Sequence, residues 1–141
     1  MMLDANANID IQNADGNTAL HLTAMLYRPE IVEMFPADAD VRIQNKNGDT
    51  ALHLACTQRI ICDSGECLKS LLQKRRVDVD IQNILGYTGL HYAFQRSFTK
   101  AIQLLIKKGG KLDIKDKCGR TPLDMDPYCL NHNTKRSYLP Q

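Results

Sequence analysis

The sequence predicts an all-α protein built from repeated helical units, and three observations carry that prediction. One phrase recurs four times in 141 residues: Asp15-Gly16-Asn17-Thr18-Ala19-Leu20-His21, Asn47-Gly48-Asp49-Thr50-Ala51-Leu52-His53, Leu85-Gly86-Tyr87-Thr88-Gly89-Leu90-His91 and Cys118-Gly119-Arg120-Thr121-Pro122-Leu123-Asp124. Its threonines lie 32, 38 and 33 residues apart, within the period range of stacked repeat architectures. The segments that follow carry apolar side chains at three- and four-residue spacing, one buried stripe per helix. A single Thr-Ala-Leu-His would carry no weight; four copies at nearly one spacing make coincidence a poor explanation.

Each position has a physical task. The glycine two residues before each threonine supplies the positive φ of a tight turn at little cost. Thr18, Thr50, Thr88 and Thr121 stand where a helix N-cap belongs, with a hydroxyl able to accept a free amide. Pro122 follows at the first helical position, where a missing N–H costs nothing. Leu20, Leu52, Leu90 and Leu123 anchor the first helix of each unit, and Ala24, Ala55 and Ala93 are small enough for neighbouring helices to approach. The second helices run Glu30 to Phe35, Cys67 to Leu72 and Ala101 to Ile106. Pro29 suits the start of the first of these, Pro36 should cut it short, and Gly109 suits the end of the third. Short extended arms come between units: Ile9-Asp10-Ile11, Val41-Arg42-Ile43, residues 77–81 and Leu112-Asp113-Ile114.

A repeat near 33 residues built around Thr-x-Leu-His-x-Ala resembles the ankyrin repeat, a β-turn followed by two antiparallel helices. The resemblance covers about residues 1–125 and implies an ankyrin-repeat solenoid of helix-turn-helix units with β-hairpin loops. Residues 1–126 then divide into a partial repeat (1–12), three complete repeats (13–44, 45–82, 83–115) and a second partial one (116–126). Residues 127–141 read as an irregular tail, because Asp126-Pro127 breaks the last helix and no periodicity follows. Neither end carries an obvious polar cap, which solenoids normally need. The expectation is a segment of a longer array, the other reading being that something covers the ends. Repeat two carries about five extra residues around Ile61-Cys62-Asp63-Ser64-Gly65. The interhelical glycine common in the family is replaced by Tyr27, Arg59 and Ser97, so less regular loops are expected there.

Composition is that of an ordinary globular chain, 43% hydrophobic and 24% charged, with no apolar run long enough to span a membrane. The N-terminus reads as no secretory signal, and no Asn-x-Ser/Thr acceptor is present. Five cysteines suit free thiols in a reducing compartment. An intracellular protein, cytoplasmic or nuclear, is therefore expected. Charge is uneven: residues 1–70 hold 5 Lys/Arg against 10 Asp/Glu, and residues 71–141 hold 13 against 6. In a solenoid this becomes an acid-to-base gradient able to steer partners, or else ordinary solvated faces that drifted apart in charge.

His21, His53 and His91 occupy equivalent positions and should lie about 10 Å apart along the stack, too far for one zinc. By the family resemblance they bond main-chain groups between repeats. Cys56, Cys62 and Cys67 lack the close doublets of zinc sites; Cys56 and Cys67 read as small buried apolar residues, and Cys62 as the exposed thiol. No catalytic signature is present, so neither an enzyme, a cofactor, a metal nor a small-molecule substrate is expected. Lys74-Arg75-Arg76 and the lysines of 107–117 carry no interleaved aromatics, so nucleic acid is not expected either.

The family binds partners at the hairpin tips and on the exposed face of the first helices. Carried over by position, the tips hold Lys46, Asn47 and Asp49, then Ile84, Leu85 and Tyr87, then Lys117 and Arg120. The first helices contribute Met25, Leu26, Gln58, Gln95 and Arg96. An apolar tip such as Ile84-Leu85-Tyr87 either marks an interaction surface or packs against the neighbouring tip. The expected function is non-catalytic recognition of a partner protein by a concave ankyrin surface, regulatory or inhibitory in effect. A structural spacer within a larger array is the alternative, followed by a basic nucleic-acid surface. In its compact, all-ankyrin length the chain is similar to inhibitors of Rel-type transcription factors, including short viral forms.

Overall fold

In the computed structural model, residues 9–57 and 65–126 are described. The first helix of each unit begins where the sequence offers a cap. Helices α1 (Ala19–Met25), α3 (Ala51–Cys56) and α5 (Gly89–Gln95) follow Thr18, Thr50 and Thr88, each in extended backbone. The main-chain N–H of each threonine donates to Nδ1 of the histidine three residues on, at 3.0 Å in all three units. Histidine thus does the work that Glu or Gln does in a capping box. In the last unit, the 3-10 helix Pro122–Met125 repeats the device with Asp124, whose Oδ2 accepts the Thr121 N–H at 2.9 Å.

The second helices are α2 (Pro29–Val32), α4 (Glu66–Leu72) and α6 (Thr99–Lys107). Helix α2 stops at Val32 rather than Phe35. The Met34 and Phe35 N–H groups bond the oxygens three residues back, Ile31 at 3.0 Å and Val32 at 3.2 Å. The chain thus tightens into a 3-10-type turn ahead of Pro36, which has no N–H to continue the helix. Helix α6 ends through a left-handed glycine: Gly109 takes φ 88°. The Gly109 N–H reaches the Ile106 oxygen and the Gly110 N–H the Leu105 oxygen, both at 2.9 Å, satisfying carbonyls left open at the helix end.

First helices stack on first helices, α1 on α3 on α5 on the 3-10 helix, and second on second, α2 on α4 on α6. The core lies between the two layers, with Leu20, Ala24, Leu52, Ala55, Leu90 and Ala93 meeting Val32, Leu68, Leu71, Ile102 and Leu105. Each fully buried large aliphatic side chain contributes about 1.5–3 kcal/mol. Gly89 answers a lack of space: a Cβ there would stand 2.5 Å from Leu52 Cδ2.

The interhelical loops depart from the sequence expectation. Tyr27 and Ser97 hold φ of 51° and 54°, so both keep the left-handed conformation that glycine provides elsewhere. The closing bonds match as well: Arg28 N–H to Thr23 oxygen at 3.0 Å, and Phe98 N–H to Ala93 oxygen at 2.8 Å. The loops are therefore regular, and stacking of the flanking helices imposes the strained φ. Arg59, the inserted loop with Cys62, the opening residues 1–8 and the tail 127–141 lie outside the described residues.

Candidate interaction surface on the turn tips

The tips are built by short polar side chains. Asn13, Asn45 and Asn83 each accept, through Oδ1, the main-chain N–H groups two and four residues on, at 2.9 and 3.0 Å. Asp116 does the same for Cys118 and Arg120 at 2.9 and 2.8 Å. These are Asx turns, in which the side chain stands in for a backbone acceptor. No strand occurs among the described residues, so the hairpin loops reduce to their turns.

Main-chain bonds then tie the tips into a row. Lys46 N–H donates to the Asp15 oxygen at 3.0 Å, Ile84 N–H to the Asn47 oxygen at 3.1 Å, and Lys117 N–H to the Leu85 oxygen at 3.1 Å. A second rail runs through glutamines. The Nε2 group of Gln12 donates to Gly16 and Gln44 oxygens, that of Gln44 to Gly48 and Gln82, and that of Gln82 to Gly86 and Lys115, over 2.7–3.1 Å. The role of these glutamines is not legible within any single repeat. The available signal was the triplet Ile-Gln-Asn, present at Ile11, Ile43 and Ile81 and altered to Ile114-Lys115-Asp116.

A third rail is the histidines. With Nδ1 accepting from threonine, Nε2 carries the proton and donates to the next unit: His21 to the Asp49 oxygen at 2.8 Å, His53 to Tyr87 at 2.8 Å, His91 to Arg120 at 3.0 Å. All three rings are buried. Burial pushes their pKa below the usual 6.5, outweighing the carbonyls that favour a proton. They are neutral structural bridges with no lone pair directed at solvent.

This scaffold brings Lys46, Asn47, Ile84, Leu85 and Lys117 together as exposed residues along one row. Ile84 and Leu85 keep 53% and 51% of their surface exposed. Tyr87 turns inward instead. Its ring stacks on His91 with centroids 5.5 Å apart and meets Tyr92 edge-on at 5.2 Å. Its hydroxyl accepts from the Arg120 guanidinium at 3.0 Å. The other end of that guanidinium grips Asp116, Nε to Oδ2, at 3.0 Å. Desolvation pushes the Asp116 carboxyl up, but the N–H groups of Arg120 and Cys118 and the guanidinium outweigh it and hold the pKa below its usual value. Asp49 is buried, its carboxylate accepting from Asn83 Nδ2 at 2.8 Å. Met25 and Leu26 are exposed at the end of α1, and Gln95 and Arg96 at the end of α5. Gln58 lies outside the described residues.

Other features do less. Lys74 is buried with Nζ donating to the Phe35 oxygen at 2.7 Å, which removes it from the exposed basic run. A cavity of about 390 Å³ includes Arg42, Arg75, Arg76 and Lys108 in its lining, but Asp78 and Asp80 line it too and Asp40 pairs with Arg42 at 3.1 Å. Cys56 and Cys67 are buried; burial pushes the Cys67 thiol up to about 11 and Cys56 further still. Among the described residues, no three His, Cys, Asp or Glu side chains converge as a metal site requires. No helix among them is long and apolar enough to cross a membrane.

Stacked two-helix units joined by a row of turn tips define a repeat protein of the solenoid class. The sequence matches the family model for ankyrin repeats (3 copies) over residues 1–83 and 59–135, and the chain belongs to the ankyrin-repeat family. Ankyrin repeats form protein-interaction modules. The chain is 35% identical over 120 residues to the B-cell lymphoma 3 protein homolog of Mus musculus and to the B-cell lymphoma 3 protein of Homo sapiens. Each match covers 82% of this chain and 26% of the relative, so the chain spans about a quarter of their length. An ankyrin repeat protein of Rickettsia bellii (strain RML369-C) is 42% identical over 52 residues, 36% of this chain and 54% of that protein.

Proposed function

We propose that this chain is a non-catalytic recognition module that holds a partner protein against the tips and first-helix face of its ankyrin array, inside the cell, with a regulatory or inhibitory outcome. The observation that carries the reading is the pair Ile84 and Leu85, large aliphatic side chains left half exposed on a turn tip, where solvated polar residues are the norm and an apolar cluster marks an interface. Lys46, Asn47, Lys117 and Arg120 flank the pair; Met25, Leu26, Gln95 and Arg96 extend the surface along the first helices. Asp49 is left out because its carboxylate is committed to Asn83, and Tyr87 acts mainly as the wedge beneath the tip. The regulatory element of the reading is supported by similarity to the B-cell lymphoma 3 proteins and by the architectural likeness to Rel-factor inhibitors. Proximity labelling in cells, with the native chain beside Ile84→Asp/Leu85→Asp, tests it. The double variant should keep native helical circular dichroism and lose specific neighbours; an unchanged set of neighbours would favour a spacer that binds nothing at this face.

A further inference from the structure

The order of charges along the tip row says what kind of partner fits it. Exposed side chains run Asp15, then Lys46, then Ile84 and Leu85, then Lys117, on tips joined by main-chain bonds. An apolar pair therefore sits between two ammonium groups. Two acids of the tips are already engaged, Asp49 buried against Asn83 at 2.8 Å and Asp116 held by Arg120 at 3.0 Å, which leaves Asp15 as the exposed carboxylate at the first tip. Among the described residues no carboxylate lies within ion-pair distance of Lys46 or Lys117.

Resting on the reading above, we propose that the tips of the second to fourth units hold an acidic protein segment whose apolar side chains lie between carboxylates. The apolar residues cover Ile84 and Leu85, and the carboxylates meet Lys46 on one side and Lys117 on the other. Packed helices stand about 8–10 Å apart, so lysines two units apart are separated by about 16–20 Å along the row. An extended chain at about 3.3 Å per residue covers that in five to six residues. Asp15 sets the direction, because the portion of the segment over the first tip must be neutral or basic. A nucleic acid fits this row poorly. Affinity for nucleic acid grows with the number of phosphates neutralised, and here two lysines are separated by aliphatic side chains and preceded by a carboxylate.

The test uses the full chain and a fluorescent synthetic peptide in which carboxylates bracket an apolar core at the spacing just derived. Lys46→Glu with Lys117→Glu should weaken binding by about tenfold or more, as expected for reversing two interfacial charges. Ile84→Ser with Leu85→Ser should weaken it comparably, and a peptide with Lys in place of its acids should not bind. Lys69→Glu with Lys107→Glu makes the same change in net charge on the second-helix layer and should leave affinity within about twofold. Any one of four results overturns the proposal: no binding of the acidic peptide, indifference to the tip reversal, an equal loss in the second-helix control, or stronger competition by mixed-sequence RNA than by the peptide. If tip reversal is silent while Ile84→Asp/Leu85→Asp still removes cellular neighbours, the docking surface stands and only its acidic partner is refuted.

Discussion

The Nε2–H of His53 donates to the main-chain oxygen of Tyr87 at 2.8 Å, across 34 residues of sequence, while Nδ1 of the same ring accepts the Thr50 N–H at 3.0 Å. One buried side chain thus caps its own helix and fastens the next unit. His53→Ala strips both partners at once and leaves buried polar groups unsatisfied, at about 1–3 kcal/mol each. A loss of roughly 3 kcal/mol is expected by urea denaturation; a loss under about 1 kcal/mol would show that water replaces the ring freely.

The same rings make stability depend on pH. His21, His53 and His91 have folded-state pKa values pushed below 6.5, so the unfolded chain takes up protons first as pH falls. Their contribution is complete above the unfolded value and is lost as pH drops below it. Asp40 and Asp116 are lowered from 3.8, so their contribution persists until far more acid conditions. Tm should fall between about pH 7.5 and about pH 5.5, and His53→Gln should flatten that fall. A Tm steady or rising over this interval would falsify the account.

Two glycines with nearly the same φ separate backbone strain from crowding. Gly48 and Gly119 take 75° and 80°. A Cβ on Gly48 would stand 2.7 Å from the Ile84 nitrogen, whereas none on Gly119 would meet anything within 4 Å. Gly119→Ala should cost about 1–2 kcal/mol, the penalty of left-handed backbone alone. Gly48→Ala should cost at least about twice that, because the neighbouring tip must move. Equal losses in chemical denaturation would mean that the row of tips yields without cost.

Ser97 and Tyr27 occupy equivalent left-handed positions with opposite expected responses. Ser97 Oγ is buried without a hydrogen-bond partner, so Ser97→Gly removes both strain and an orphaned hydroxyl and should stabilise by about 0.5–1 kcal/mol. Tyr27 is partly buried against the core, and its hydroxyl accepts the Glu66 N–H at 3.2 Å, supplying the cap that Gly65 lacks. Tyr27→Gly should therefore destabilise. Thermal melts of the two variants moving the same way would contradict the comparison.

Thiol chemistry offers an independent check on the core. Cys118 is exposed on the fourth tip, whereas Cys56 and Cys67 are buried with pKa values raised by desolvation. Brief alkylation at neutral pH followed by peptide mapping should modify Cys118 and spare Cys56 and Cys67 until denaturant is added. Labelling of either buried thiol at the rate of Cys118 would indicate a loosened stack.

The helical class, the capping threonines and the inward leucines and alanines were legible because each depends on local geometry or on a short period. Pro36 and Gly109 likewise act on the residues beside them. The glutamine rail was not read, although its triplet recurs, because its purpose appears only when Gln44 reaches Gln82 in the next unit. The irregular loops expected at Tyr27 and Ser97 were not found, because packing of the flanking helices outweighs the intrinsic preference of those residues.

By itself the sequence determined the repeat, its period, its caps and the family to which the chain belongs. Tertiary structure decided which tip residues face outward. Asp49 and Tyr87 hold equivalent positions two residues beyond exposed neighbours, yet Asp49 is buried because Asn83 supplies a donor, and Tyr87 folds in because His91, Tyr92 and Arg120 enclose its ring. Ile84 and Leu85 stay half exposed while their main chain is tied to both neighbouring tips, Ile84 N–H to the Asn47 oxygen and the Leu85 oxygen to Lys117 N–H, each at 3.1 Å. Exposure in a solenoid is set by the neighbouring unit, more than 30 residues away in sequence, and no local pattern contains it.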